Sequence, residues 1–169
     1  MFGNPERSRT IAYSAAFIGL ITLGSWISIP FFPVPFTLQT LFVLLAGVVM
    51  KRYAVVPVSL YIFLGAIGLP VFHNGIAGIG ILLGPTGGYI IGFIFAAFIA
   101  GFAYEQDSVP IRVTGFAVAT LAIYLFGVGW IMISLGRGFV PSLMAGAVPF
   151  IVGDTVKAFC AFVIGQKLT

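Results

Sequence analysis

Residues 53–104 read YAVVPVSLYIFLGAIGLPVFHNGIAGIGILLGPTGGYIIGFIFAAFIAGFAY, a stretch of 52 residues without Asp, Glu, Lys or Arg. Because a membrane-spanning helix needs about 20 predominantly apolar residues, this stretch is long enough for two such helices. Its middle, from Pro70 to Pro85, is rich in glycine, which is typical of turns and loops. The stretch therefore predicts two membrane helices joined by a structured, largely irregular connection.

The flanking sequence repeats this pattern. Residues 10–50 and 113–136 also lack Asp, Glu, Lys and Arg, and residues 138–166 carry only one acidic and one basic side chain. Three prolines between residues 30 and 35 cannot continue a helix and divide the first run in two. We therefore predict an all-α polytopic membrane protein, a single integral membrane domain over residues 1–169 with six transmembrane helices. The predicted spans are approximately 10–28, 36–50, 53–69, 86–104, 111–135 and 141–166.

The composition excludes several classes of protein. The chain is 60% hydrophobic and only 7% charged, whereas soluble domains carry roughly 25% charged residues. Its eight Lys and Arg residues are spread along the sequence and form no patch interleaved with aromatics, so nucleic-acid binding is not expected. The single cysteine, Cys160, excludes an internal disulfide and is expected to be a small buried apolar residue.

Basic residues in the short loops predict the orientation in the membrane. Under six spans, six Lys and Arg residues fall on one side and only Arg137 on the other. The positive-inside rule therefore places both termini on the cytoplasmic side of the plasma membrane. The six residues are Arg7, Arg9, Lys51, Arg52, Arg112 and Lys167.

Asp154 and Lys157 are the anomaly of the last predicted span. They are three residues apart, so they share one face of a helix. A charge at the centre of a membrane helix costs about 2.5–3.5 kcal/mol, and such residues normally face a cavity or one another. The pair predicts a polar binding site with both signs of charge. The alternative is an ion pair that only holds the helices together.

Weaker signals lie elsewhere. Asn74 lies in the glycine-rich connection and offers hydrogen-bond donors and an acceptor, and Tyr89, near the predicted start of the next helix, offers a ring with a hydroxyl group. Ala12 and Ala16 have the small-xxx-small spacing that lets another helix approach closely. His73 has no partner at metal-ligand spacing, and no nucleophile–base set is present. We therefore expect no metal, no cofactor and no enzymatic activity.

Taken together, several strings resemble the BioY family, the biotin-specific substrate-binding (S) component of energy-coupling factor (ECF) vitamin transporters. In sequence order they cover most of the chain. They are Ile29-Pro30, Pro33-Val34-Pro35-Phe36-Thr37-Leu38-Gln39-Thr40, Leu60-Tyr61, Gly65-Ala66-Ile67-Gly68-Leu69-Pro70-Val71-Phe72, Gly84-Pro85-Thr86-Gly87-Gly88-Tyr89 and Gly153-Asp154-Thr155-Val156-Lys157.

The resemblance implies a biotin-binding membrane subunit that captures biotin from outside the cell. Asp154, Lys157 and Asn74 are the implied ligand contacts, with Gln39 and Tyr89 as further candidates. Its implied partners are a transmembrane coupling subunit, facing Ala12 and Ala16 of the first span, and two ATPases. A homo-oligomer is the alternative assembly, and membrane lipid surrounds either one.

Two other functions remain open at this stage. The chain could be a self-sufficient, ion-coupled biotin carrier with Asp154 as its proton site. It could also be a structural membrane protein in which the Asp154–Lys157 pair is architectural. No ATP-binding motif is present, so ATP-driven transport would require partners.

Overall fold

Long apolar runs form the helices of the fold, and prolines, glycines and one unusual lysine end them. The computed structural model describes residues 5–168. Within that range the helices are α1 (Pro5–Trp26), α2 (Gln39–Met50), α3 (Val55–Ala66), α4 (Ile79–Leu83), α5 (Gly87–Tyr104), α6 (Val109–Leu135), α7 (Phe139–Gly146) and α8 (Ile151–Leu168). The strands β1 (Ser28–Ile29) and β2 (Phe36–Thr37) form a small antiparallel hairpin.

The chain reverses its direction between helices α2 and α3. Lys51, between them, has φ 54° and ψ −140°, which breaks the helical path. The Gln39 Nε2 atom, at the start of α2, donates a hydrogen bond of 2.6 Å to the Tyr61 hydroxyl in α3. In a continuous helix, residues separated by 22 positions would lie about 33 Å apart. The chain therefore reverses at Lys51, and the predicted second and third spans are separate helices.

Length and composition alone select four helical stretches as candidate membrane spans. They are Gln39–Ala66, Gly87–Tyr104, Val109–Leu135 and Phe139–Leu168. The first is the α2–α3 hairpin, which holds two of the predicted spans. Helix α1 is 22 residues long but less apolar, because it carries charges near its start and several hydroxyl side chains. Two of those hydroxyls, of Thr22 and Ser25, donate to backbone carbonyls of the same helix, which removes their need for water.

The described helices depart from the predicted spans at three places. The residues predicted as the end of span 1 and the beginning of span 2 instead form the β1–β2 hairpin, where Ser28 pairs with Thr37 and Ile29 with Phe36. The connection after α3 contains α4 as well as irregular chain. The last span is divided into α7 and α8 around Pro149, whose missing N–H cannot continue the helical bonding.

One smaller expectation was wrong. Cys160 is exposed on the outer face of α8, where a small apolar side chain can contact lipid as well as protein.

Small residues set the distances between helices. Gly88 in α5 lies against the α6 backbone at Phe126, and Gly101 in α5 lies against the Lys51 carbonyl, with no room for a Cβ atom at either position.

Two tryptophans bind the ends of the glycine-rich connection. The indole of Trp26 donates to the Pro70 carbonyl at 3.2 Å. Trp130 similarly donates to the Gly84 carbonyl at 3.0 Å. The two tryptophans thus tie down both ends of the glycine-rich connection.

We predict that Gly101→Ala destabilises the protein by about 1–3 kcal/mol, because its Cβ would force the Lys51 turn away from α5. Gly129→Ala is the matched control, since a Cβ there meets open space. It should be neutral or stabilising by up to about 1 kcal/mol. Thermal unfolding of the purified proteins in detergent tests both, and equal melting temperatures for the two variants would contradict the packing described.

Candidate ligand site

The charged pair of α8 is formed and buried. The Lys157 Nζ atom lies 2.7 Å from the Asp154 Oδ1 atom, and each residue exposes only 6% of its surface. The predicted i, i+3 geometry on one helix face is confirmed. A buried ion pair offsets its desolvation cost only when further hydrogen bonds satisfy its remaining groups, so its surroundings decide what it can do.

The break before α8 helps to hold the Asp154 carboxylate. Residues 148–150 form a single 3₁₀ turn around Pro149, and α8 begins at Ile151. Asp154 therefore lies in the first turn of α8. The helix dipole favours a negative charge at that end, so the start of α8 is a suitable position for the partner of Lys157.

Two hydroxyl groups complete the support of the carboxylate. Thr40 in α2 donates to Oδ1 of Asp154 at 3.2 Å, and Tyr124 in α6 donates to Oδ2 at 2.7 Å. Oδ1 thus accepts two hydrogen bonds, from Lys157 and Thr40, and Oδ2 accepts one, from Tyr124. Oδ2 can therefore accept one further hydrogen bond. Neither residue was predicted as part of the site, because hydroxyl side chains are common in membrane helices.

An aromatic ring covers the ammonium group. The Lys157 Nζ atom lies 3.7 Å from the ring centroid of Phe36, a favourable cation–π distance. Phe36 in turn stacks on Phe150, with ring centroids 6.0 Å apart. Gly153 has no Cβ that would collide with the Phe36 ring. The β1–β2 hairpin thus places the apolar ring of Phe36, which we call the roof, over the ion pair.

A small cavity lies beside the pair. Its volume is about 50 Å³, enough for a few water molecules and far below the roughly 300–1,000 Å³ of typical small-molecule pockets. Its walls combine apolar residues with hydrogen-bonding ones. The lining residues are Val34, Pro35, Phe36, Thr37, Gln39, Thr40, Phe72, His73, Thr86, Tyr89, Ile90, Phe93, Ile123, Tyr124, Phe150, Asp154 and Lys157.

Gln39 and Tyr89, both predicted site residues, line this cavity with their polar groups already engaged. The Gln39 amide donates to the Tyr61 hydroxyl and accepts from the Thr37 hydroxyl at 3.1 Å. The Tyr89 hydroxyl donates to the Gly146 carbonyl at 2.6 Å. Both side chains therefore line the cavity, and hydrogen bonds to other protein groups fix their orientation.

Asn74 is placed differently. Its side chain is exposed and accepts a hydrogen bond of 2.8 Å from the Ser28 hydroxyl, so it links the glycine-rich connection to β1. It does not line the cavity, whereas its neighbour His73 does. Burial lowers the pKa of His73 below its ordinary value of 6.5, so the imidazole is neutral at physiological pH. Among the described residues, no cluster of three metal-ligating side chains occurs.

The predicted partner residues lie away from this site. Ala12 and Ala16 are both exposed on α1. Small exposed residues at this spacing permit close approach of another helix, and their contact with a partner stays a prediction.

The chain is similar to a known family and to proteins from other organisms. The model of the BioY family matches residues 3–169. The "Probable biotin transporter BioY" of Pyrococcus horikoshii is 39% identical over 163 residues, covering 96% of this chain and 97% of that protein. The "Biotin transporter BioY" of Thermotoga maritima is 40% identical over 162 residues, covering 95% of each.

A solved structure shares the fold. The crystal structure of the S-component for biotin from an ECF-type ABC transporter is similar with a TM-score of 0.88 and 28% identity. The match covers 99% of this chain and 94% of that one. The all-helical membrane fold predicted from the sequence is confirmed.

We predict that Tyr124→Phe destabilises the protein by about 1.5–3 kcal/mol, because a buried carboxylate loses a charge-assisted hydrogen bond. Tyr104→Phe is the control: that ring is more deeply buried than the ring of Tyr124, but its hydroxyl is 3.5 Å from the Phe162 carbonyl. Its loss should cost less than about 1 kcal/mol.

Combining Tyr124→Phe with Asp154→Asn tests the mechanism by thermal unfolding in detergent. If Tyr124 acts through the carboxylate, the double variant should be less destabilised than the sum of the two single ones. Strict additivity would show that the tyrosine hydroxyl acts elsewhere.

Proposed function

The chain belongs to the BioY family, and from this premise we propose that it is a biotin-binding membrane subunit that mediates biotin uptake. It captures biotin from outside and delivers it together with an ATP-driven ECF module. The buried Asp154–Lys157 pair carries this proposal, because it combines a hydrogen-bond acceptor and a donor where only a polar ligand can use both.

The hydrogen-bonding capacity of the pair matches the ureido ring of biotin. One ureido N–H can donate to the open position on Oδ2 of Asp154, and the ureido carbonyl can accept from Lys157, which has N–H groups beyond the one bound to Asp154. Because Asp154 and Lys157 neutralise each other, the site favours a neutral dipolar ring over a carboxylate. Phe36, Phe72 and Tyr89 offer the apolar walls that the thiophane ring and alkyl chain require.

Biotin is too large for the cavity as it stands, so binding requires its lining to move. Phe36 belongs to a hairpin of only two residues per strand, and lifting its ring requires breaking its stacking on Phe150 and its contact with Lys157. Outward movement of Phe36 would uncover the ammonium group of Lys157. Asn74 is bonded to Ser28 of that hairpin and would move with it; its contact with biotin is proposed from the family resemblance.

The proposed partners are a transmembrane coupling subunit and two ATPases, with a homo-oligomer as the alternative assembly. The exposed Ala12–Ala16 surface of α1 supports docking of a helix of the coupling subunit. Six basic residues at one end of the helices support an orientation with both termini in the cytoplasm. The chain itself is proposed to carry no catalytic activity.

The other candidate functions are less well supported. As the proton site of an ion-coupled carrier, Asp154 would have to exchange its proton freely, yet three donors already engage its carboxylate. A purely architectural pair would have no reason to border a cavity with unused hydrogen-bonding positions.

We predict that Asp154→Asn weakens biotin binding by about 2–5 kcal/mol, roughly 30-fold or more in Kd, because it removes an acceptor and leaves Lys157 buried without its counter-charge. Asp107→Asn is the control, since that carboxylate is fully exposed and should leave Kd unchanged. Equilibrium binding of labelled biotin to the purified variants measures both.

Lys157→Gln provides a second route should Asp154→Asn fail to purify. Wild-type affinity in a folded Asp154→Asn or Lys157→Gln variant would contradict the role of the pair in binding.

We predict that Ala12→Leu or Ala16→Leu abolishes biotin uptake by the complete transporter but leaves biotin binding by the isolated subunit intact, because the bulkier side chain blocks close helix approach. Ala117→Leu, on an exposed face of α6, should affect neither. Parallel uptake and binding assays separate the outcomes. Loss of binding together with uptake would indicate a folding defect and contradict the interface assignment.

A further inference from the structure

A second concave site lies at the opposite end of the helices from the cavity at Asp154. It is a groove of about 810 Å³ between the first turns of α1 and the α2–α3 turn. Its lining residues are Glu6, Arg7, Arg9, Thr10, Tyr13, Val49, Met50, Lys51, Arg52, Tyr53 and Glu105. We call it the basic groove.

The basic groove carries an excess of positive charge. Four of its lining residues are Lys or Arg and two are Glu. Arg52 is paired with one of these carboxylates, since its Nε atom lies 2.9 Å from Oε1 of Glu105. Four basic and two acidic side chains leave the groove with a formal charge of +2 around one concave surface.

The backbone of Lys51 gives an independent indication of function. Its φ of 54° lies in the region that favours glycine, and its carbonyl is packed against Gly101. A glycine at position 51 could make the same turn without strain. Backbone strain of this kind accumulates at functional sites, and here it fixes the base of a long cationic side chain at the wall of the groove.

The surroundings of the basic groove match the headgroup layer of a bilayer. Tyr13 and Tyr53 line it with 41% and 62% of their surfaces exposed, and tyrosine rings concentrate at the level of lipid headgroups. Val49 and Met50 add apolar lining beside the charges. Basic pockets between membrane helices bind anionic lipid headgroups, because Arg and Lys donate charge-assisted hydrogen bonds to phosphate oxygens.

We propose that the basic groove binds the headgroup of an anionic phospholipid, with Lys51 and Arg9 contacting the phosphate. This site is separate from the biotin site and would make the stability of the subunit depend on the charge of the surrounding membrane. A protein partner with an acidic surface is the competing occupant. The tyrosines at headgroup level and the apolar lining favour the lipid.

The test uses thermal unfolding of the full chain in neutral detergent at low salt. Phosphatidylglycerol should raise the melting temperature of the wild type by several degrees, because a ligand that binds only the folded state stabilises it. Phosphatidylcholine with the same acyl chains, and inorganic phosphate at the same concentration, should leave it unchanged. Added salt should reduce the phosphatidylglycerol effect by screening.

Substitutions at Lys51 sharpen the test. Lys51→Gln should lose at least half of the phosphatidylglycerol shift, whereas Lys167→Gln, which removes an exposed lysine of α8, should keep all of it. Lys51→Gly should unfold at a higher temperature than wild type without lipid, because strain is relieved, yet respond less to phosphatidylglycerol. Stabilisation and loss of lipid response in one variant cannot arise from general damage to the fold.

Several results would overturn the proposal. They are equal shifts with phosphatidylglycerol and phosphatidylcholine, an equal shift with inorganic phosphate, or no phosphatidylglycerol shift in the wild type. A full shift in Lys51→Gln would assign the lipid effect to another surface. A lower melting temperature for Lys51→Gly would remove the argument from backbone strain.

Discussion

An ammonium and a carboxylate 2.7 Å apart, midway along the last helical stretch, impose the main constraint on this protein. Neither charge is stable in hydrocarbon without partners. Four elements from different parts of the sequence therefore surround the pair: α2 provides Thr40, β2 provides Phe36, α6 provides Tyr124, and the start of α8 provides its dipole. Satisfying the pair brings these elements together, and the same convergence creates the cavity beside it. Under the proposed function, stability and ligand recognition depend on the same contacts.

The reversal at Lys51 connects this site to the rest of the fold. Because α2 packs against α8 and ends at the Lys51 turn, Thr40 at its start reaches Asp154 while that turn packs against Gly101 at the opposite end. The turn that aims α2 at the buried pair also builds the wall of the basic groove. The proposed biotin site and the proposed lipid site, at opposite ends of the molecule, therefore both include residues of α2 or of the turn that follows it.

Charge pattern and proline positions predicted the membrane class, the separate helices and the shared face of Asp154 and Lys157, since each follows from local chemistry. Tyr124 and Thr40 could not be predicted, because a hydroxyl in a membrane helix usually bonds to its own backbone and gives no long-range signal. The left-handed backbone of Lys51 was equally hidden, since the residue type disfavours it. Pro149 could have indicated the break before α8, and with it the placement of Asp154 in a first turn. The hydrogen bond between Asn74 and Ser28 and the position of Phe36 over the ion pair could not be predicted either. Both depend on the conformation of the loops, which residue spacing does not determine.

The central claim is that the buried pair selects a neutral ring with N–H donors and a carbonyl. Calorimetric titration of the purified, folded protein with biotin tests it most directly, with desthiobiotin, which keeps the ureido ring, and diaminobiotin, which lacks the ureido carbonyl, alongside thiamine and riboflavin. The account predicts saturable binding of biotin and desthiobiotin and none of the other three, because a site built on buried polar groups strongly rejects a ligand that leaves them unpaired. A flat biotin titration, or equal binding of diaminobiotin and biotin, would contradict it.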